Sequence, residues 1–199
     1  MGFVALVRPG ALVETMPGDA HIMTTPTATD TALHDATESR EHLWRLIKDT
    51  RFAMFTTRHA NGHLHSRPMT TQNSSVDEDD SLWFFMSRRG DPVAALTAEP
   101  VVNVAYANPD DDCYVSVCGV GAVIDNHAKK QQLWTKMAQA WFPGGVDDPD
   151  LALVQVRIHE AHYWNVKSSK VMQLVHMAKA VVTGEQPKGL GEHGEIHMR

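Results

Sequence analysis

Two short segments hold most of the chemistry legible in this 199-residue chain. The first, Ser66-Arg67-Pro68-Met69-Thr70, places a guanidinium fork between two hydroxyl-bearing residues. That combination suits a phosphate or a polyol chain, because arginine presents a planar set of donors and hydroxyls both donate and accept. A proline inside a strand confines the segment to an edge or a bulge. The plainer reading of Arg67 is an edge-strand side chain in a surface ion pair. The second segment, Phe85-Met86-Ser87-Arg88-Arg89-Gly90, ends an apolar run in a hydroxyl and two guanidiniums. Convergent arginines at a strand end make a dianion site, and a solvated turn is the alternative. The pattern does not choose between Arg88 and Arg89.

Other chemistry is weighed and set aside. The chain has 12 histidines. His63-Leu64-His65 would share one face of a strand, with His59 just before the turn. His159-Glu160-Ala161-His162 is one residue short of the helical HExxH spacing. Without cysteine or carboxylate partners at ligand spacing, exposed histidines are expected rather than a metal site, and His193 and His197 would bind metal only adventitiously. Asp147-Asp148-Pro149-Asp150 lacks the spaced ligands of a calcium loop and reads as a capped turn. There is no GxGxxG, no GxxxxGK[ST] and no GxSxG element.

Bulk properties narrow the class. Eighteen Lys and Arg against 24 Asp and Glu leave a formal charge of −6, which excludes a broad nucleic-acid surface but not a small basic pocket. Trp83, Phe84 and Phe85 accordingly read as core rather than as a base-stacking platform. The two cysteines, Cys113 and Cys118, are five apart, so on one strand they face opposite sides and act as packing residues. Their scarcity points to a reducing, cytoplasmic setting. No apolar run is long enough for a membrane span.

The elements that must position these segments follow from periodicity and turn signals. Residues 1–34 read as a disordered extension, with Met16 or Met23 as alternative starts. Asp35 and Glu38 resemble a capping box opening a helix over 36–49. Strands are expected over 52–58 and 63–72, joined by Asn61-Gly62 as a tight turn with positive φ at both central positions. Residues 74–81 form an acidic surface loop, and 82–87 a strand buried on both faces. Asp91-Pro92 starts a short helix ending near Glu99-Pro100. Strands follow over 101–107 and 114–125, the second carrying a bulge or close approach at Gly119 and Gly121. A helix over 128–140 lines up Leu133, Met137 and Ala140. Two last strands cover 151–158 and 162–166, with a helix over 169–182 and a flexible tail over 184–199. Short connections and few helices predict a mainly β, α+β fold: an antiparallel six-stranded Greek-key split β-barrel with peripheral helices, filling residues 35–183.

This order of segments resembles a known family. The hairpin, S-R-P-M-T, the acidic loop, L-W-F-F-M-S-R-R, V-N-V-A-Y-A and Y-V-S-V-C-G-V-G-A-V look like the FMN-binding split barrel. W-F-P-G-G-V-D-D-P-D-L-A-L-V-Q-V and A-H-Y-W-N look like the general stress protein 26 branch of the pyridoxamine-5'-phosphate-oxidase-like proteins. The resemblance spans roughly residues 36–183. It implies FMN as cofactor, with Ser66 and Arg67 near the phosphate and ribityl chain. Pro68, Met69 and Thr70 would lie along the isoalloxazine, and Phe85, Met86 and Ser87 on the neighbouring strand. Arg88 or Arg89 would serve as the basic phosphate group. Trp141, Phe142 and Trp164 would wall the pocket from the same or the opposite subunit of a homodimer. A nicotinamide donor, NAD(P)H, is implied for an oxidoreductase; alternatives are a flavin-holding stress protein without turnover, or a split barrel taking haem or a deazaflavin. No Arg-Leu-His segment follows Tyr163-Trp164-Asn165, so pyridoxine phosphate is not the expected substrate.

Overall fold

The computed structural model describes residues 28–50, 52–76, 80–165 and 192–198, with side-chain surroundings from residue 35 onward. Its elements are α1 (Ala28–Ile47), β1 (Ala53–Arg58), β2 (Leu64–Met69), β3 (Ser81–Ser87), α2 (Asp91–Ala98), β4 (Val101–Asn108), β5 (Cys113–Ile124), α3 (His127–Leu133), α4 (Lys136–Trp141), β6 (Leu151–Asn165) and β7 (Glu192–His197). The strands form one antiparallel sheet in the order β2-β1-β4-β5-β6-β3, with β7 added beside β6. The two ends of that row meet, among the described residues, through one isolated bridge between Thr71 and Phe84. The barrel is therefore split rather than closed.

Thr71 also fixes the seam through its side chain, which shares a 2.7 Å hydrogen bond with the Tyr106 hydroxyl. Burial pushes the Tyr106 phenol far above its usual range, against the smaller lowering effect of that bond, so the group stays neutral. Two cores flank the sheet. One lies inside the barrel around Phe55, Phe84, Val104, Val117 and Val154. The other lies outside, where Trp83, Phe85, Leu151 and Leu153 meet Leu133 and Phe142. β3 alternates between them, Phe84 inward and Phe85 outward, which accounts for its nearly unbroken apolar sequence. Leu43 and Ile47 dock α1 on the inner core, and Arg40 Nε donates to Asp80 Oδ1 at 2.6 Å in a largely buried ion pair.

Several elements differ from expectation. The first helix begins at Ala28, inside the stretch read as disordered extension, so Asp35 and Glu38 lie within the helix rather than at its cap. The hairpin turn is a three-residue loop: Gly62 N–H donates to the His59 carbonyl, and only Gly62 has positive φ (83°). That is a turn closed by a glycine bulge, not the two-residue form. The acidic loop is partly interior, with Val76 and Asp80 buried. The expected helix over 128–140 breaks at Trp134, and Thr135 caps a new helix by accepting from Ala138 N–H. Leu133 and Ala138 are consequently the buried residues, while Met137 is exposed.

The last two expected strands are one strand, β6. It takes up an extra residue at His159, because Cys118 pairs with Glu160 and Gly119 with Ile158. The expected irregularity at Gly119 is thus real, and a Cβ there would run into the Arg157 carbonyl oxygen. The segment read as a flexible tail contributes β7, which brings the strand count to seven. The expected helix over 169–182 lies outside the described residues. Cys113 and Cys118 face opposite sides as expected; burial, then the charge of Asp111, pushes the Cys113 thiol up.

Candidate functional site

The β2 and β3 ends that meet at the seam border a cavity of about 450 Å³, a volume typical of small-molecule sites. Its floor comes from the two segments singled out by their chemistry. Pro68, Met69 and Thr70 line it from the end of β2, and Phe85, Met86 and Ser87 from the end of β3. β2 is the edge strand of the row, which is what a proline at position 68 requires. The opposite wall is α4 and the turn that ends it. Thr135 starts this helix, and Phe142 closes it through its N–H to the Ala138 carbonyl. Trp141 and Phe142 therefore sit side by side on the wall, Phe142 buried and Trp141 79% exposed. Phe52 and Met137 add to a lining that is mostly apolar with few polar groups.

Asp150 is the one titratable residue of that lining among the described residues. Its carboxylate accepts from Ser87 Oγ at 2.7 Å and from Arg89 Nε at 3.0 Å. The Ser87 hydrogen bond first, and then Arg89, hold its carboxyl below the usual range, so it is an anion at neutral pH. The two arginines after Ser87 are thereby accounted for. Arg89 is engaged with Asp150, and Arg88 turns its Nη2 toward the Leu151 carbonyl at 3.4 Å. Neither lines the cavity. Asp150 was read from the sequence only as part of a capped turn, which its backbone indeed makes: Asp150 N–H donates to Asp148 Oδ1.

Arg67 does not line the cavity either. It lies two residues from Met69 on the same face of β2, opposite Phe55 of β1. Its Nη2 is 3.2 Å from His59 Nε2, and its Nη1 is buried without a hydrogen-bond partner among the described residues. Thr57 Oγ1, also unpartnered and buried, belongs to the same inner face, since Thr57 pairs with His65 beside Arg67. Buried polar groups are nearly always satisfied, so these two atoms on one face call for a partner that the described residues do not supply. Thr57 was missed; its signal was a hydroxyl in the inward register of Ala53 and Phe55.

Two expected residues lie elsewhere. Ser66 is exposed on the outer face and shares a 2.8 Å hydrogen bond with Thr56. Trp164 lies on that same open face, opposite Tyr114 and 5.0 Å from the His193 ring, and the structure does not bring it to the cavity of its own chain. Among the histidines, His59 and His65 stack at 3.8 Å next to the Arg67 guanidinium, surroundings hostile to a metal cation. No helix among the described residues is long and apolar enough to cross a membrane.

Residues 38–188 match the family described as pyridoxamine 5'-phosphate oxidase like. Among curated proteins, protein bli-3 of Neurospora crassa is 24% identical over 151 residues, covering 70% of each chain. Among solved structures, a chain of the general stress protein 26 kind from Jannaschia sp. CCS1 superposes with a TM-score of 0.60 at 22% identity, covering 84% of this chain and 98% of its own. The general stress FMN/FAD binding protein of Xanthomonas citri is 29% identical, with a TM-score of 0.56 and coverage of 67% and 92%.

Proposed function

This chain belongs to the pyridoxamine 5'-phosphate oxidase-like family, and from that premise we propose that it is an FMN-binding flavoprotein acting as a homodimeric oxidoreductase. The observation that carries the reading is the cavity at the barrel seam, with the unpartnered Arg67 Nη1 and Thr57 Oγ1 farther along β1 and β2. The residues fit the group. Pro68–Thr70 and Phe85–Ser87 would hold the isoalloxazine, Trp141 and Phe142 would cover it, and Arg67 with Thr57 would take the phosphate end. When bound, the flavin supplies hydride and electron chemistry, and the protein's part is to orient it and limit water. The similarity to the general stress FMN/FAD binding protein of Xanthomonas citri supports the cofactor class.

The outer sheet face supports the dimer. Met54, Leu64, Val101, Tyr114 and Trp164 all project from it with their side chains exposed. Exposed apolar side chains on one sheet face suit association with a second copy, which would bring further walls, Trp164 included, toward the flavin. NAD(P)H is the proposed donor, and a reducing, cytoplasmic setting suits two free cysteines. A second reading, flavin holding without turnover, draws on Asp150: the one carboxylate that lines the cavity among the described residues is already paired and is not a poised proton acceptor.

The test is an absorption spectrum after incubation with FMN and exhaustive dialysis. Retained flavin bands, lost in Arg67→Ala with the fold intact, are the expected result. A folded protein that retains no flavin overturns the proposal. Retained flavin without NAD(P)H oxidation selects the holding role.

A further inference from the structure

We propose that the paired strands β6 and β7 carry a site for a zinc-class divalent cation, built from Glu160, His162 and Glu195, whose donor atoms lie within 4.8 Å of one another. In the β6–β7 register Glu160 lies opposite His197 and His162 opposite Glu195, so strand alternation puts all four on one face. His162 Nε2 is 3.8 Å from a carboxylate oxygen of Glu160 and 3.8 Å from one of Glu195. His197 Nε2 is 3.1 Å from Glu195 Oε1. Donor atoms on a tetrahedral zinc at about 2.0–2.1 Å are roughly 3.3–3.4 Å apart, so a bound cation would draw the three groups slightly together. Mixed imidazole and carboxylate donors are the ligands zinc and its neighbours accept.

Charge points the same way. The acids Asp80 and Asp150 each face an arginine, whereas among the described residues neither Glu160 nor Glu195 is bridged to a lysine or arginine. Two carboxylates share one patch with imidazoles between them, an arrangement that a divalent cation neutralises. The His-Glu-Ala-His run has the wrong spacing for a helix, but Glu160 and His162 have the right spacing for one face of a strand. Their partners arrive from β7 more than 30 residues later. Because β6 supplies two donors and β7 the third, the cation would staple β7 to the barrel, and binding would be coupled to β7 docking.

The experiment uses tag-free full-length protein, stripped with chelator, dialysed against Zn2+ and assayed for metal per chain. The wild type is expected to retain one zinc, and His162→Ala and Glu195→Gln to lose it. His65→Ala, in the other histidine group, should retain it. Glu195→Gln is isosteric and exposed, so its circular dichroism should match the wild type and separate lost binding from lost fold. Co2+ in place of Zn2+ should give visible d–d absorption in the wild type and not in Glu195→Gln. Wild-type protein that retains no zinc, or variants that retain it equally, would overturn the site.

Discussion

The two halves of β6 have opposite characters although they belong to one strand. From Leu151 to Arg157 it pairs with β5 and β3, and from Leu151 to Val154 its side chains enter the outer and the inner core alternately. From Glu160 to Asn165 it pairs with β5 and β7, with Ala161 and Tyr163 inward and Glu160, His162 and Trp164 on an open face. The bulge at His159 lies between them. One strand thus supports the packed floor behind the cavity with its first half and a polar surface of carboxylates and imidazoles with its second. The lesson is that what covers the faces of a strand, not the strand itself, decides whether a position carries stability or chemistry.

The largest expected effect separates the halves by energy. Leu153→Ala removes a fully buried side chain between Trp83, Phe85 and Leu151 and should cost about 2–5 kcal/mol in chemical denaturation. His162→Ala, on the open face, should cost within about 0.5 kcal/mol in metal-free buffer. Equal costs would erase the distinction. Next comes the attachment of β7. A Cβ at Gly194 would collide with the Tyr163 ring, so Gly194→Ala should speed hydrogen exchange of the β7 amides while leaving residues 151–157 protected. Uniform loss of protection would mean that the halves unfold together.

The smallest effect lies at the mouth of the cavity. Asp150 has a folded-state pKa held below its unfolded value, so its contribution is present above the ordinary carboxylate range and is lost as pH falls through the depressed value. Asp150→Asn should therefore lower stability at neutral and alkaline pH, leave the acid end unchanged and flatten the slope between them. Removing only the 85% exposed partner, Arg89→Ala, should change stability by less than about 1 kcal/mol, because the Ser87 hydrogen bond remains.

Much of this was legible because it depends on local pattern. The all-apolar run of β3 announced burial on both faces, Pro68 announced an edge, and Gly119 announced a close approach. The break at Trp134 was not legible, since helical periodicity runs through it and only Thr135 hints at a cap. Neither was the fate of Arg88 and Arg89. A pair of arginines reads as an anion site until Asp150, some 60 residues later, is folded against it.

The sequence by itself determined most of the segments that become strands, β7 excepted, that the sheet is antiparallel, and that hydroxyls and an arginine lie beside a proline-bearing edge. Those properties follow from periodicity, turn chemistry and backbone restrictions acting over a few residues. Only the tertiary structure decided that β2 and β3 meet at a seam, and that Arg67 and Thr57 carry buried polar atoms without a partner among the described residues. It alone brought His197 and Glu195 to Glu160 and His162. Each of these outcomes is a juxtaposition of distant segments, set by strand register, which no local pattern encodes.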